Sequence, residues 1–266
     1  MSKKRSKFVD AHCHLTNSSY LLEHIDMIIE QAISNNIEFL VVNGGHEKEN
    51  LQILKLIERY KQLNILIPAI GIHPEDGKDE NDYLRVEPLI NDSIKAIGEI
   101  GLDYYYEDGP SRENQIKSME GQLKLAQKFN LPVVIHIRDK EDCDQAYQDV
   151  YDLMKKYKVK FMLHTYSGTV EWAEKFKELD AYFSFSGTVT FASNQNARNV
   201  IKIVPLNRIL VETDSPYLRP HPYVDEKNEP NKVLFVSYYI GGLLEMGMDK
   251  FVSIVNKNLR ELFNIK

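Results

Sequence analysis

Short and nearly continuous apolar runs recur along the chain and alternate with longer amphipathic stretches. A strand of a parallel sheet is covered on both faces, so it reads as an apolar run rather than as a strict alternation of apolar and polar positions. Eight runs of this kind occupy residues 8–10, 37–42, 65–70, 94–97, 132–135, 159–163, 181–185 and 209–211. The pattern predicts eight parallel strands.

The amphipathic stretches between these runs have the length and spacing of helices. In the first of them, Leu22, Ile25, Ile29 and Ala32 follow one another at intervals of three and four residues, which places them on one helix face. Further helices are predicted at residues 21–34, 51–60, 111–129, 142–157, 170–179, 194–204, 231–245 and 249–263. Strands and helices that alternate eight times favour a single-domain (β/α)8 TIM barrel over residues 1–266.

A doubly wound open sheet is the alternative architecture. It is typically marked by a glycine-rich turn after the first strand, where a dinucleotide phosphate binds. In this chain that place holds His12 and His14, so the barrel is preferred.

Composition and charge narrow the function classes. The chain has 266 residues, of which 43% are hydrophobic, and a net charge of -6. That balance argues against a protein that coats duplex DNA by bulk electrostatics, but it leaves a nuclease open, because bound divalent cations supply local positive charge. Two distant cysteines imply no disulfide framework, and we find no apolar run near the roughly 18 residues of a membrane span. A cytoplasmic protein with a short basic tail at residues 1–7 is expected.

Histidines and carboxylates gather at the ends of the predicted strands. In a barrel of this kind the active site lies at the C-terminal ends of the strands. Residues at those ends that suit metal ligation are His12, His14, Glu99, His136, His164 and Asp214, with His73 in addition. Four imidazoles and two carboxylates around one mouth suit two divalent cations about 3.5–4 Å apart.

The ligands can be divided between the two cations. We assign His12, His14 and Asp214 to one cation and His136 and His164 to the other, with Glu99 as the bridge. The hypothesis is a two-metal hydrolase in which a metal-bound hydroxide is the nucleophile and Asp214 also serves as its base, so Asp214 and Glu99 are the catalytic residues. Cys13 alternates away from both histidines and is assigned to the core.

The remaining polar residues of the rim suggest substrate contacts. His73 and Arg138 are cationic or hydrogen-bonding groups, and Arg is suited to bidentate contacts with phosphate. Ser167 stands just before a predicted helix, where backbone N–H groups bind anions. Tyr104 and its neighbours are available to stack on bases. The alternatives are an Arg138–Asp139 ion pair and tyrosines that close the barrel mouth.

Taken together, these motifs resemble those of the TatD family of metal-dependent hydrolases. The matching segments are DAHCHL at 10–15, GIHP at 71–74, IGEIGLDY at 97–104, LPVVIH at 131–136, His164 with Ser167-Gly168, VETDSPYL at 211–218 and NEP at 228–230. The resemblance implies a (β/α)8 barrel with a two-metal site that uses magnesium, manganese or zinc. It also implies deoxyribonuclease activity, often as a 3′–5′ exonuclease on single strands, and its metal ligands coincide with the six residues reached from their positions.

One segment departs from the family pattern. Where the family usually has a basic run before NEP, this chain has the acidic pair Asp225-Glu226. The first hypothesis is therefore a deoxyribonuclease that acts on DNA ends or nucleotides, as a monomer and away from membranes. The second keeps the fold and the metals but hydrolyses a small-molecule amide, lactone or phosphate ester. The third is a non-catalytic metal-binding protein, which six ligands around an open mouth disfavour.

Overall fold

One eight-stranded sheet organises the protein. The computed structural model describes residues 6–266, so positions 1–5 of the predicted tail lie outside the described residues. The strands are β1 (Phe8–Cys13), β2 (Ile37–Asn43), β3 (Leu66–Ile70), β4 (Ala96–Asp103), β5 (Val133–Arg138), β6 (Phe161–Leu163), β7 (Tyr182–Phe185) and β8 (Ile209–Val211). All neighbouring strands pair in parallel in the order in which they occur in the chain.

The sheet closes on itself between β8 and β1. Cys13 and Ser215 form a parallel bridge across this seam. The N–H of His14 donates to the carbonyl oxygen of Ser215 at 2.8 Å, and the N–H of Asp214 donates to that of His12 at 2.9 Å. These contacts confirm the predicted (β/α)8 barrel, because an open doubly wound sheet has no such closure.

Helices surround the sheet. They are α1 (Leu22–Ser34), α2 (Glu47–Tyr60), α3 (Arg112–Phe129), α4 (Gln145–Lys156), α5 (Val170–Glu178), α6 (Gln195–Ile203), α7 (Val233–Leu243) and α8 (Met248–Leu262). Between β3 and β4 the chain forms three 3-10 turns, at Pro74–Asp76, Asp82–Arg85 and Glu87–Leu89, and both α7 and α8 follow β8. The amide of Asn258 on α8 donates to the carbonyl oxygens of Leu206 and Ile209, both at 2.8 Å, which fastens α8 beside β8.

Two strands are longer than the apolar pattern predicts. The runs end at positions 97 and 135, whereas β4 continues to Asp103 and β5 to Arg138. Their last residues include Glu99 and His136, which face the barrel mouth, so polar side chains replace apolar ones while the ladder continues. Glu99 and His136 therefore stand on the strands themselves and not on flanking loops.

Lys7 corrects the prediction of a solvated tail up to position 7. Its ammonium lies 3.2 Å from the Glu38 carboxylate, and its carbonyl oxygen accepts the amide N–H of Asn256 at 3.0 Å. The carbonyl of Ser6 also accepts a hydrogen bond, from Asn36. Residues 6 and 7 are thus held against β2 and α8.

Candidate metal centre

The structure brings all six predicted ligands to one end of the barrel. They come from β1, β4 and β5 and from the segments that follow β1, β6 and β8. His12, Glu99, His164 and Asp214 are buried, while His14 and His136 are partly buried. Asp214 has a positive φ of 52°, which an aspartate tolerates better than most residues. The turn after β8 directs its carboxylate towards His12 and His14.

Glu99 lies at the middle of the cluster and faces ligands on two sides. Its Oε2 is 3.4 Å from Nε2 of His12 and 3.5 Å from Nε2 of His14. Its Oε1 is 3.0 Å from Nδ1 of His136 and 2.7 Å from Nε2 of His164. Each oxygen of the carboxylate therefore belongs to a different set of imidazoles, as a bridging ligand requires.

Three groups of ligand atoms are compact enough to hold a cation. They are His12, His14 and Asp214; His12, Glu99 and His164; and His73, Glu99 and His136. The first group matches the set predicted for one cation. The other two share Glu99 and are joined by a 3.1 Å contact between Nδ1 of His136 and Nε2 of His164.

The chemistry of these donors fits divalent cations. Nε2 of His12 and Nε2 of His14 face each other at 3.0 Å, and Oδ1 of Asp214 lies 3.4 and 3.3 Å from the same two atoms. Nδ1 of His14 lies 3.2 Å from the carbonyl oxygen of Asn43, which can only accept, so Nδ1 carries a proton and Nε2 is the atom that would bind a cation. Imidazole nitrogens and carboxylate oxygens that converge in this way suit zinc, manganese or magnesium.

Two further carboxylates lie beside the outer nitrogens of the imidazoles, and Asp103 forms a hydrogen bond to one of them. Asp103 accepts from Nε2 of His136 at 3.0 Å, and Oε1 of Glu212 lies 3.5 Å from Nδ1 of His164. Carboxylates that bind the outer nitrogen of a ligating histidine fix its orientation and its tautomer. Glu212 is fully buried behind His164. Asp103 had no predicted role, although it lies within the IGEIGLDY motif.

Close approach of β4 and β5 depends on glycine. Gly101 has φ +150°, and a Cβ there would lie 1.9 Å from the carbonyl oxygen of His136. Only glycine allows the two backbones to come this near. The amide of Gln115 on α3 then bonds both backbone groups of Asp103 at 2.8 Å. Glu99, Asp103 and His136 are thereby fixed relative to one another.

The segment that carries His73 is pinned by two buried amides. Asn50 bonds the backbone of Gly71 through both its Nδ2 and its Oδ1, at 2.8 and 3.2 Å. Gln122 does the same for Ile72, at 2.8 and 3.0 Å. His73 therefore enters the mouth from a rigid turn, and its Nε2 lies 3.6 Å from Oε1 of Glu99.

The pKa values of the clustered side chains are set by their burial and by the charges of their neighbours. Burial lowers the pKa of His73 to about 3, so its ring is neutral and not cationic as one interpretation of the sequence had it. Burial also opposes protonation of His14, but Asp214 and Glu99 outweigh it and raise the pKa of His14 to about 9. Burial raises the pKa of Asp214, yet the neighbouring His14 and His12 more than compensate, and Asp214 is a carboxylate at neutral pH.

Arg138 lies at the end of β5 and contacts two aromatic rings. Its guanidinium carbon is 3.9 Å from the centre of the Tyr105 ring and 5.0 Å from that of Tyr106. One guanidinium nitrogen also donates to the Tyr106 hydroxyl at 3.1 Å. Asp139 accepts instead from the backbone N–H groups of Lys140 and Ala146, which disfavours the alternative of an Arg138–Asp139 ion pair.

Two predicted substrate contacts have other partners in the structure. The hydroxyl of Tyr104 donates to Asp149 of α4 at 2.9 Å, so it is directed towards the outer helices and not towards the ligand cluster. The hydroxyl of Ser167 is 3.0 Å from that of Tyr147. Tyr104 is half-buried, so its role is structural, whereas Ser167 remains exposed at the rim.

Comparison with known proteins identifies the family. A family model described as TatD related DNase matches residues 9–264. The chain belongs to the TatD family. YabD of Bacillus subtilis (strain 168), described as an uncharacterized metal-dependent hydrolase, shares 34% identity with it over 262 residues, covering 96% of this chain and 98% of YabD. Deoxyribonuclease TATDN3 of Homo sapiens is 28% identical over 96% of this chain and 94% of its own length.

A solved structure of a TatD homologue shares the architecture. The crystal structure of YjjV from Escherichia coli K12 superimposes with a TM-score of 0.85 at 26% identity, covering 97% of this chain and 98% of that one. As a TatD protein, this chain is a metal-dependent hydrolase, and the His, Glu and Asp cluster is its candidate metal centre. None of the helices in residues 6–266 is both long enough and apolar enough to cross a bilayer.

Proposed function

We propose that this TatD protein is a deoxyribonuclease that removes nucleotides from DNA ends as a 3′–5′ exonuclease and uses two divalent cations. The observation that carries the proposal is Glu99, whose two carboxylate oxygens face separate sets of imidazoles. A bridging carboxylate between two cations is the arrangement used for in-line displacement at phosphorus. Bound at these two positions, magnesium, manganese or zinc ions would polarise the phosphoryl oxygen and lower the pKa of a coordinated water.

Asp214 is suited to the proton transfer. Its carboxylate is ionised at neutral pH, because His14 and His12 lower its pKa against the effect of burial. Its Oδ1 faces His12 and His14, on the side of the cluster that holds the first cation. Asp214 would therefore act both as a ligand and as the base that accepts a proton from the attacking water.

His73 is suited to hold the substrate phosphate. The backbone N–H of Glu75 can only donate, and it lies 3.3 Å from Nδ1 of His73, so the neutral ring carries its proton on Nε2. That Nε2–H is directed into the mouth beside Glu99. It would donate to a phosphoryl oxygen, and Arg138 would bind the adjacent phosphate, as Arg does through its planar fork.

The names of related proteins support a nucleic-acid substrate. The matching family model is described as TatD related DNase, and the human relative is named a deoxyribonuclease. A monomer that acts in the cytoplasm is part of the same proposal, since both cysteines are free and one of them, Cys143, is exposed.

Gel assays of end-labelled single-stranded DNA test the proposal. With Mg²⁺, Mn²⁺ or Zn²⁺ we expect stepwise shortening from the 3′ end, and no shortening after treatment with EDTA. DNA that stays intact with all three cations would disprove the nuclease assignment. Labels at the 5′ and the 3′ end distinguish the direction of attack.

Two variants separate the proposed roles. Asp214→Asn should reduce kcat by about 10³-fold or more, because it removes a base and weakens a ligand.

His73→Gln should reduce kcat by about 10²-fold, as expected for one lost donor to the reacting phosphate. His73→Gln should also retain the metal content of the wild type, measured by elemental analysis. Loss of one equivalent of metal would instead make His73 a ligand.

A second candidate is the hydrolysis of a small amide, lactone or phosphate ester on the same metal centre. The acidic pair Asp225 and Glu226 beside the mouth and the net charge of -6 favour a small substrate. A panel of chromogenic phosphodiesters, phosphomonoesters, lactones and amides distinguishes the candidates. Turnover of a lactone or an amide at a higher kcat/KM than any DNA would favour the second.

A further inference from the structure

The connections that follow β4 to β8 line one side of the mouth and carry more acidic than basic side chains. Their exposed carboxylates are Glu107, Asp108, Glu141, Asp142, Asp144, Asp225 and Glu226. A DNA strand that leaves the metal centre on this side has to pass these side chains. Its phosphates would be repelled wherever they pass within the screening length, which is about 8 Å at physiological salt.

The cations of the same connections are mostly engaged. Lys140 lies 2.7 Å from Glu107, and Lys232 lies 3.0 Å from Glu226. The ammonium of Lys227 lies over the Tyr20 ring at 4.5 Å and bonds the carbonyl oxygen of Ser19. Within these connections of the described chain, Arg219 and Lys227 are the exposed cations that form no ion pair, and of the two only Lys227 is held by the Tyr20 ring and the Ser19 carbonyl.

Arg138 is held differently from these cations. Tyr105 and Tyr106 both contact its guanidinium without neutralising it, and only one of its nitrogens bonds the Tyr106 hydroxyl. Since Arg138 comes two residues after His136 on β5, both side chains project to the same side of the strand. The two rings are 46% and 44% exposed, so a base can stack on them.

The mouth thus offers Arg138 as one phosphate contact next to the metal centre, with Tyr105 and Tyr106 beside it as a surface on which a base can stack. Beyond these residues the rim of the mouth is acidic. Resting on the proposed function, we infer that the protein acts on short DNA fragments of about two to four nucleotides, with Arg138, Tyr105 and Tyr106 binding the nucleotide next to the scissile bond. Longer strands that leave on this side gain little further attraction from the protein. The physiological substrate class is the product of other nucleases and not the end of a long strand.

A length series tests the inference. Oligothymidylates of two, three, five, ten and twenty nucleotides are hydrolysed with Mg²⁺ or Mn²⁺, and kcat/KM is measured per 3′ end. We expect kcat/KM to rise between two and about four nucleotides and then to stay level or fall, as expected for one or two phosphate contacts. The logarithm of KM should rise with the logarithm of salt concentration by about 0.7 to 1.4, since each single-strand phosphate contact contributes about 0.7.

Charge variants test the rim directly. Asp225→Lys combined with Glu226→Lys replaces two acids that lie outside the ligand cluster. It should raise kcat/KM for the twenty-nucleotide substrate at least threefold and leave that for the trinucleotide within twofold. The matched control is Glu30→Lys with Glu58→Lys, which changes the same charge on exposed positions of α1 and α2. This control should leave both values unchanged.

The outcomes separate the two proposals. If kcat/KM continues to rise up to twenty nucleotides, or if the salt dependence corresponds to about four or more contacts, the length limit is wrong while the nuclease assignment stands. If Tyr105→Ala changes kcat/KM by less than twofold at every substrate length, the proposed stacking of a base on these rings is wrong. If no oligonucleotide is hydrolysed with any of the cations, the proposed function fails and the length limit fails with it.

Discussion

Asp103 acts on the metal centre only through His136. Its Oδ2 bonds Nε2 of that imidazole at 3.0 Å, while its Oδ1 accepts the N–H of Tyr105. Asp103→Asn should therefore lower the affinity for one cation by about 10- to 100-fold, the usual effect of losing such a partner. Competition between the protein and a fluorescent chelator for Mn²⁺ or Zn²⁺ measures this affinity.

Asp76→Asn is the control for Asp103→Asn. Asp76 is an exposed acid on the turn that follows His73, and its removal changes the net charge by the same amount. It should leave the metal affinity unchanged. If Asp103→Asn binds both cations as tightly as the control does, Asp103 supports the fold and not the ligand.

The sequence allowed the convergence of the six candidate ligands to be predicted, but not the contact between Asp103 and His136. Each ligand stands at the end of an apolar run, where a barrel places its active site, so its position alone indicated its role. Asp103 and His136 are 33 residues apart along the chain, and their contact exists only because β4 and β5 pair at Asp103 and Arg138. The partners of Tyr104 could not be predicted for the same reason, since Asp149 lies on a helix 45 residues further on.

At the level of elements, β4 and β5 meet most closely at Gly101. Gly101→Ala places a Cβ against the His136 carbonyl and forces a positive φ on a residue that resists it. We expect the free energy of unfolding to fall by about 3 kcal/mol or more, from strain and overpacking together. Urea denaturation followed by circular dichroism measures the loss.

Gly242→Ala is the matched control for this change. Gly242 lies in α7, and a Cβ there would have no atom within 4 Å. Alanine in a helix with free space should stabilise the protein by about 0.5–1 kcal/mol. An equal effect of the two substitutions would mean that the approach of β4 to β5 does not require glycine.

The contact between α3 and α4 gives a pH-dependent prediction. Asp149 accepts from both Arg112 and Tyr104, and although burial opposes its ionisation, these partners lower its pKa. Because its pKa is lower in the folded than in the unfolded state, its stabilising effect is complete above the unfolded pKa of about 4 and is lost as the pH falls through the folded value.

Replacing this carboxylate should show the same dependence. Asp149→Asn should lower the free energy of unfolding by about 2 kcal/mol at neutral pH, and the difference from wild type should vanish once the pH is below the lowered pKa of Asp149 in the folded state. Asp152→Asn, on the same helix and bonded only to Gln148, should have little effect at either pH. A loss for Asp149→Asn that persists unchanged at low pH would contradict the assignment to the ionised carboxylate.

Element boundaries were predicted less well than element order. The helix after β2 begins at Glu47, four residues before the apolar pattern at position 51, because its first turn is polar and lies beside the mouth. The strands β4 and β5 extend into polar residues for a related reason, since ligands replace apolar side chains there. The apolar pattern marks an element by its buried apolar side chains. It therefore misses the part of an element whose buried positions carry polar functional side chains.

Across the whole molecule, the ligands tie together distant parts of the barrel. They are drawn from the ends of β1, β4, β5, β6 and β8, so the cluster spans the seam at which Cys13 meets Ser215. No local pattern predicts that seam, because it joins the first strand of the chain to the last. The alternation of strands and helices predicted the fold class, while the closure of the barrel and the spacing of the ligands result from long-range packing.

Metal binding should therefore stabilise the whole barrel. Cations that bind the folded but not the unfolded chain stabilise it by about 2.7 kcal/mol at a concentration 100-fold above Kd. For a chain of this size that corresponds to a rise in Tm of roughly 5–10 °C. Differential scanning calorimetry of the protein with EDTA and with added Mn²⁺ or Zn²⁺ measures the shift. His12→Asn should abolish most of this rise in Tm, because His12 lies within 3.4 Å of both Glu99 and Asp214. The control His24→Asn, on α1, should retain the rise. An unchanged Tm in a protein that elemental analysis shows to contain bound metal would mean that the cations do not link the strands.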